Sequence, residues 1–398
     1  MINRYTQIEE LKTLKDVQLI KVVTGIRRCG KSTLFELFRK ELFLTGISEK
    51  CVQHYNLEDP DHLTLDWKSF YDYIKMNLVA DKMNYIFLDE IQMLDNFERL
   101  LDGLHLLKNT DVYVTGSNAY LLSGELATIL TGRAITINMY PFSFAEYVDF
   151  MEISNPAELD LIEYLQIGGI PQALELKKLN FNVYTTYLQN LFTSIVEKDI
   201  KTRNKLYNEK SFDDVTRFLA DSIGSSVSAN SISKTLKNSN ISIEDKTVSR
   251  YISVLNDTFM FYPTSRFDIK GKNILKTNGK QYIADTGFRN ILLGRTAMAD
   301  VGHLLENVIY IELLRRGNTV WIGKNKEYEI DFVCKTKDGN TQYYQVTMSM
   351  RNEDTKNREL RAFNSINDHN LKTIISLDPE EPIYDGIVCR NALKWLLE

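Results

Sequence analysis

Over residues 19–150, short apolar runs rich in β-branched side chains alternate with stretches whose apolar positions recur every three or four residues. The runs at 19–24, 52–57, 85–89, 112–115 and 134–138 predict buried strands. Between them, Leu34, Leu37, Phe38 and Leu42, and again Leu94, Phe97, Leu101 and Leu104, line one side of a helix. Strands separated by amphipathic helices predict an α/β fold with a parallel sheet covered by its crossovers. After Pro141 the strand runs stop. Residues 155–205 carry helical periodicity, interrupted by Gly168-Gly169-Ile170-Pro171.

From about 208 to 295 the composition shifts to Ser, Asn and Lys around two short apolar helices, followed by β-like runs at 259–264 and 274–283. The remainder predicts a second α/β unit: a helix at 303–316, strands at 319–322, 329–335 and 342–348, a helix at 355–366 and a strand at 371–377. The expected division is a first domain at 1–150, a helical lid at 151–207, a third unit at 208–295 and a C-terminal unit at 296–398.

Composition narrows this picture. With 398 residues and 43% hydrophobic content, the chain is long enough for several cores. The formal net charge of −5 argues against a uniformly basic surface. Cys29, Cys51, Cys334 and Cys389 are too scattered for a disulfide framework or a metal knuckle, which points to the reduced cytosol. The first residues lack the apolar core of a signal peptide, and no run approaches the roughly 18 apolar residues of a membrane span. A soluble cytoplasmic protein is the expectation, with no membrane partner.

The chemistry concentrates after the first strand, in Gly25-Ile26-Arg27-Arg28-Cys29-Gly30-Lys31-Ser32-Thr33. A glycine-rich turn between strand and helix offers backbone N–H groups and the helix dipole to a phosphate chain. Gly25, Arg28, Cys29, Gly30, Lys31, Ser32 and Thr33 form the expected cradle for ATP or GTP. Within it, Lys31 would reach the β and γ phosphates, and the Ser32 hydroxyl would ligate Mg2+. The strand Tyr85-Ile86-Phe87-Leu88-Asp89 delivers two acids at its C-terminal end, where open sheets bind ligands. Asp89 suits a contact to Mg2+, and Glu90 suits the base that orients water. The next strand ends Thr115-Gly116-Ser117-Asn118; Asn118 either polarises that water or caps a helix.

These residues, with Leu130-Thr131-Gly132-Arg133-Ala134 and Tyr140-Pro141-Phe142-Ser143-Phe144-Ala145-Glu146-Tyr147, resemble the AAA-type ATPases of the archaeal and bacterial STAND-related group. The resemblance implies that Arg133 is an arginine finger or phosphate sensor. It also implies that Gly169-Ile170-Pro171 is a lid element near the nucleotide, and that a homo-oligomer could bring the finger to a neighbour's loop. The alternative for Arg133 is a surface arginine at a helix end.

Two further resemblances concern the second half. Ile232-Ser233-Lys234-Thr235-Leu236, a turn, and Lys246-Thr247-Val248-Ser249-Arg250-Tyr251-Ile252 read as helix-turn-helix with a β wing, a winged helix. Residues 225–280 hold nine Lys or Arg against four Asp or Glu, so either DNA or a protein partner fits. The C-terminal unit resembles the PD-(D/E)xK nuclease fold. There Glu306 and Asp331 would be metal ligands, Gln345 stands where a carboxylate belongs, and Thr347 stands where a lysine belongs. On this reading the cation is lost unless Arg351 or Lys356 replaces it, so nuclease activity is not expected. Three functions remain open: a Mg2+-dependent ATPase acting on or regulated by DNA, a nucleotide-gated protein-interaction switch, and an ATP-dependent nuclease; a small-molecule kinase also fits the loop alone, but the Asp-Glu pair and the large appended units favour hydrolysis.

Overall fold

The computed structural model describes residues 2–60, 66–119, 132–201, 208–295, 298 and 300–398. By its internal contacts the chain forms two compact units, Met1–Met139 with Asp257–Phe259, and Tyr140–Asn256 with Met260–Glu398.

The first unit is built on β1 (Ile20–Thr24), β2 (Val52–Asn56), β3 (Asn84–Asp89), β4 (Thr110–Gly116) and β5 (Ala134–Asn138), in the order β2-β3-β4-β1-β5. Every pairing is parallel. β1, β3 and β4 are buried at every position, as continuous apolar runs require of strands covered on both faces. On one face α1 (Tyr5–Leu14) and α2 (Lys31–Leu44) precede and follow β1, and Phe35 and Phe38 of α2 pack on Phe87 and Tyr113, themselves stacked at 4.7 Å. On the other, α3 (Trp67–Met76) and α4 (Phe97–His105) bury Phe70, Ile74, Leu100, Leu101 and Leu104 against Val22, Ile86 and Val114. One polar feature was not anticipated: Lys21 of β1 and Asp111 of β4 form a fully buried ion pair, with the Tyr113 hydroxyl donating to Asp111 at 2.7 Å.

The second unit opens with α5 (Phe144–Met151), capped reciprocally by Ser143 and Glu146, then α6 (Glu158–Ile167). Pro171 begins α7 (Pro171–Leu179), using the helix position where its missing N–H costs nothing. α8 (Phe181–Ser194) widens into a π-helical turn at Ile195–Lys201. α9 (Glu209–Asp221), α10 (Ala229–Asn238) and α11 (Asp245–Asp257) follow; the Ser233 hydroxyl donates to the Ile243 carbonyl at 2.6 Å, and Phe212 packs edge-on to Tyr251.

The hairpin β6 (Phe261–Asp268) and β7 (Asn273–Ile283), expected as a wing, forms one margin of an eight-stranded sheet, which β6 joins through β8 (Thr319–Asn325). The rest of that sheet is β9 (Tyr328–Lys335), β10 (Thr341–Val346), β11 (Leu371–Ser376), β12 (Ile383–Tyr384) and β13 (Ile387–Asn391), in the order β12-β13-β11-β10-β9-β8-β6-β7. β12 and the terminal helix (Ala392–Leu397) are too short to stand out as periodic patterns, and β13 ends in Arg390 and Asn391 and so lacks a full apolar run. Between β7 and β8 lie α12 (Thr286–Leu293) and α13 (Val301–Arg315), and α14 (Glu353–Asn364) links β10 to β11. α13 is buried nearly all round, with Tyr310 stacked on Tyr282 at 4.1 Å. Among the described residues no helix is long and apolar enough to cross a membrane.

Candidate active site

The strand order β3-β4-β1 brings three chain segments to one end of the first sheet: the loop after β1, the acids after β3 and Ser117-Asn118 after β4. Two glycines make the loop possible. A Cβ on Gly25 would lie 2.1 Å from the Met139 carbonyl oxygen, and Gly30 has φ of +107° at the N-cap of α2. Among the described residues no side chain caps α2, so its first N–H groups face the loop. Ser32 and Thr33 are exposed there.

Lys31 is only 4% exposed, and its ammonium donates to the carbonyls of Gly25 at 2.9 Å and Ile26 at 3.2 Å. Among the described residues no carboxylate lies within ion-pair distance of it. The loop's other polar side chains diverge. Arg27 is buried and paired with Glu58, whereas Arg28 is exposed with φ of +67°. Cys29 offers the cradle only its backbone, because its thiol is fully buried, directed at the Met139 carbonyl, and pushed up in pKa by that burial. Sequence reasoning missed Arg4, whose guanidinium donates to the Cys29 carbonyl at 2.6 Å from a buried position.

The acids are joined by a residue that the sequence singled out only as part of a polar strand end. The Thr115 hydroxyl donates to the Asp89 carboxylate and accepts the Glu90 N–H at 2.9 Å. Glu90 is thereby held with φ of +54°, and its carboxylate accepts from the Gln92 amide, which also reaches the Ser117 hydroxyl. Asn118, next in the chain to Ser117, is buried. Arg133 stands elsewhere: it precedes β5, a strand's length (about 17 Å) from the loop, and pairs with Asp102 at 2.7 Å. Thr131 lies outside the described residues.

In the second unit, Gly169 takes part in a buried junction: its N–H donates to Asp285 at 2.6 Å and its carbonyl accepts from Phe142 N–H at 2.7 Å. Burial pushes the Asp285 carboxyl up to about 6 against the pull of backbone N–H groups.

The nuclease-like residues converge, with one correction. Glu306 of α13 and Asp331 of β9 meet, but a cation is present: Lys280 of β7, 5% exposed, lies 3.2 Å from Glu306, 3.0 Å from Glu329 and 4.0 Å from Asp331. Neither Arg351, paired with Glu380, nor Lys356, paired with Glu353, fills that role. Asn307 explains the placement. Its amide exchanges two 2.8 Å hydrogen bonds with the Ile283 backbone, docking β7 on α13 and aiming Lys280 and Tyr282 at Glu306. Gln345 is occupied at both ends, accepting the Asp331 N–H at 2.6 Å and donating to Glu359 at 2.6 Å. Burial and Glu306 raise the Asp331 carboxyl despite Lys280. Among the described residues no group of three or more His, Cys, Asp or Glu could hold a metal ion, and the donor set here, centred on an ammonium, does not fit one.

The loop, the paired acids and the parallel sheet define an AAA-type P-loop ATPase domain, and residues 17–148 match the model of the AAA domain. Residues 158–299 match a domain of unknown function (DUF8612). An uncharacterized protein of Haemophilus influenzae is 35% identical over 404 residues, spanning 100% of this chain and 99% of that protein. The chain belongs to the same family of AAA-domain proteins. An uncharacterized protein of Methanocaldococcus jannaschii is 28% identical over 359 residues, covering 86% of this chain and 78% of its own length. Among solved structures, the Walker-type ATPase of Pyrococcus abyssi aligns with a TM-score of 0.48 and 16% identity, over 73% of this chain and 96% of that one. The Aeropyrum pernix ORC1 protein in complex with DNA aligns with a TM-score of 0.30 and 12% identity, over 76% and 94%. At such scores the assignment rests on the sequence relatives and on the site.

Proposed function

We propose that this chain binds ATP with Mg2+ at the Gly25 to Thr33 loop and hydrolyses it, using the energy to change conformation. The observation that carries this reading is Lys31: a buried ammonium that, among the described residues, is held by loop carbonyls and by no carboxylate, at the N-terminus of α2, next to the strand end that bears Asp89 and Glu90. The residues fit the nucleotide and its ion. Ser32 and Asp89 would hold Mg2+, an ion that takes few protein ligands beside phosphate oxygens and water. Bound there, the ion supplies charge neutralisation at the phosphates. Lys31 and the loop N–H groups bind and orient the phosphate chain. Glu90, held by Thr115 and Gln92, takes up the proton of the attacking water, and Asn118 orients that water. Arg133, a strand's length from its own loop, serves as a finger toward a second copy, which makes a homo-oligomer the working form.

The test is Glu90→Gln, which should keep ATP binding and lower the hydrolysis rate about a hundredfold or more. A wild-type rate in that variant rules out Glu90 as the base.

In the second unit we read residues 151–207 as the lid, 208–295 as a winged helix and 296–398 as a nuclease-like domain that does not cut. DNA is the proposed partner, contacted by exposed Lys246 and Arg250 on α11 and by Lys270 and Lys272 in the β6–β7 turn. Replacing these four with Ala should weaken DNA binding for all sequences alike and flatten its salt dependence. Unchanged DNA binding would move the segment to a protein partner and the whole chain to a nucleotide-gated interaction switch. That second reading is favoured by the saturated Lys280 cluster, which leaves the C-terminal unit a holding rather than a cutting role.

A further inference from the structure

We propose that Arg4 is a positioning residue for the phosphate-binding loop, fixing through the Cys29 carbonyl the direction of the Gly30 N–H and so tying nucleotide affinity to the helix that precedes β1. This rests on the ATP-binding reading and adds a residue outside the loop to it.

A peptide unit is planar, and in the trans form its C=O and N–H point in opposite directions. The Cys29 carbonyl and the Gly30 N–H belong to one such unit. Whatever grips the carbonyl therefore aims the N–H. Arg4 grips it at 2.6 Å, and the guanidinium is 3% exposed, so water competes little for the bond. A Cβ placed on Gly30 would lie 3.5 Å from the same guanidinium nitrogen, which puts Arg4 directly behind the turn that opens α2. A cationic donor on a carbonyl also polarises the peptide, making its N–H a stronger donor to an anion on the opposite side.

The need for such a grip follows from the loop's composition. Gly30, with φ of +107°, has no side chain to limit its rotation, and Arg28, two residues before it, is held at φ of +67°, a conformation non-glycine residues adopt at a cost. At the other end of the loop Lys31 holds the Gly25 and Ile26 carbonyls. Arg4 completes the arrangement from outside. Arg4 is itself fixed, because it is the N-cap position of α1 and its carbonyl accepts the Ile8 N–H at 2.9 Å. α1 in turn is anchored by fully buried Leu11 and by Lys12, 3.0 Å from Glu41 of α2. Moving α1 would thus move the Gly30 N–H.

A group that shapes the phosphate site in ground and transition states alike changes KM more than kcat. The experiment measures Mg-ATP and Mg-ADP affinity by calorimetry, and steady-state KM and kcat, for the full chain and for Arg4→Met, Arg4→Lys and Leu11→Ala. Arg4→Met, which keeps a long stem without charge or donor, should weaken both nucleotides and raise KM by about tenfold or more, with kcat little changed. Arg4→Lys, which keeps the charge but not the fork, should lose about threefold. Leu11→Ala, which loosens α1 and with it Arg4 but leaves the guanidinium in place, should lower thermal stability and raise KM by clearly less than Arg4→Met does. Wild-type affinity in Arg4→Met, or an equal rise in KM in Leu11→Ala, overturns the proposal. Should Arg4→Met not fold, a wild-type KM in Arg4→Lys overturns it instead. If the wild type binds neither nucleotide, the ATP-binding reading has failed rather than the role of Arg4 within it.

Discussion

Lys31 and Lys280 are buried to the same degree, 4% and 5% exposed, and the surroundings give them opposite meanings. Lys31 is met by two carbonyl dipoles, which solvate an ammonium without cancelling its charge. Lys280 is met by three carboxylates, and one of them, Glu329, also pairs with Arg266 at 2.7 Å. With Asp331 raised toward its protonated form, that second group approaches two cations balanced by two carboxylates. A lysine left uncompensated in a concave loop invites an anion. A lysine already saturated holds a fold together.

The contrast predicts unequal costs of removing each charge. Lys280→Met strands carboxylates in a buried site and should cost about 3–5 kcal/mol of stability. Thermal unfolding should show the loss, and adding Glu306→Gln should recover part of it. The loss should shrink at acid pH, where the carboxylates take up protons. A cost under about 1 kcal/mol would mean the cluster is solvated, not saturated.

Asp285 sharpens the comparison from the anionic side, because its buried carboxylate is met by backbone N–H groups, and no cation lies within ion-pair distance among the described residues. Its carboxyl is raised from 3.8 to about 6. The folded state therefore binds this proton more tightly than the unfolded chain. The stabilisation is complete below about pH 4 and is lost as pH rises through about 6, a change of roughly 3 kcal/mol. Asp285→Asn keeps an acceptor for the Gly169 and Phe288 N–H groups and should flatten that part of the stability curve measured by denaturant titration. An unaltered curve would show that Asp285 ionises freely.

The smallest expected effect is on the fold itself at the loop. Lys31→Met should cost about 1–2 kcal/mol, since two carbonyls lose a donor but no buried carboxylate loses its partner, while abolishing ATP binding. Destabilisation as large as that of Lys280→Met would erase the distinction between the two lysines.

The first sheet was legible in advance because its determinants are local. The strand at Ala134–Asn138 was placed to the residue and the other four to within a residue or two at each end, since buried parallel strands are unbroken apolar runs. The glycine-rich loop and Asp89-Glu90 were legible for a related reason: each is a run of consecutive residues at a strand end. The C-terminal cluster is half legible: Glu306 and Asp331, paired in the sequence reading, do converge, while the cation expected at Arg351 or Lys356, close in sequence to Gln345, lies instead on β7.

What the sequence by itself determined is therefore the five strands of the first sheet, the glycine-rich loop after β1 and the acids that end β3, all written in short contiguous patterns. What only the tertiary structure decided is which distant side chains complete those patterns. Arg4 reaches the loop across α1 and β1, and Thr115 bridges Asp89 and Glu90 because β4 lies between β3 and β1. Lys280 reaches Glu306 because Asn307 docks β7 on α13. A side chain's neighbours across a sheet or a helix face follow from strand order and docking, and residue periodicity carries no record of either.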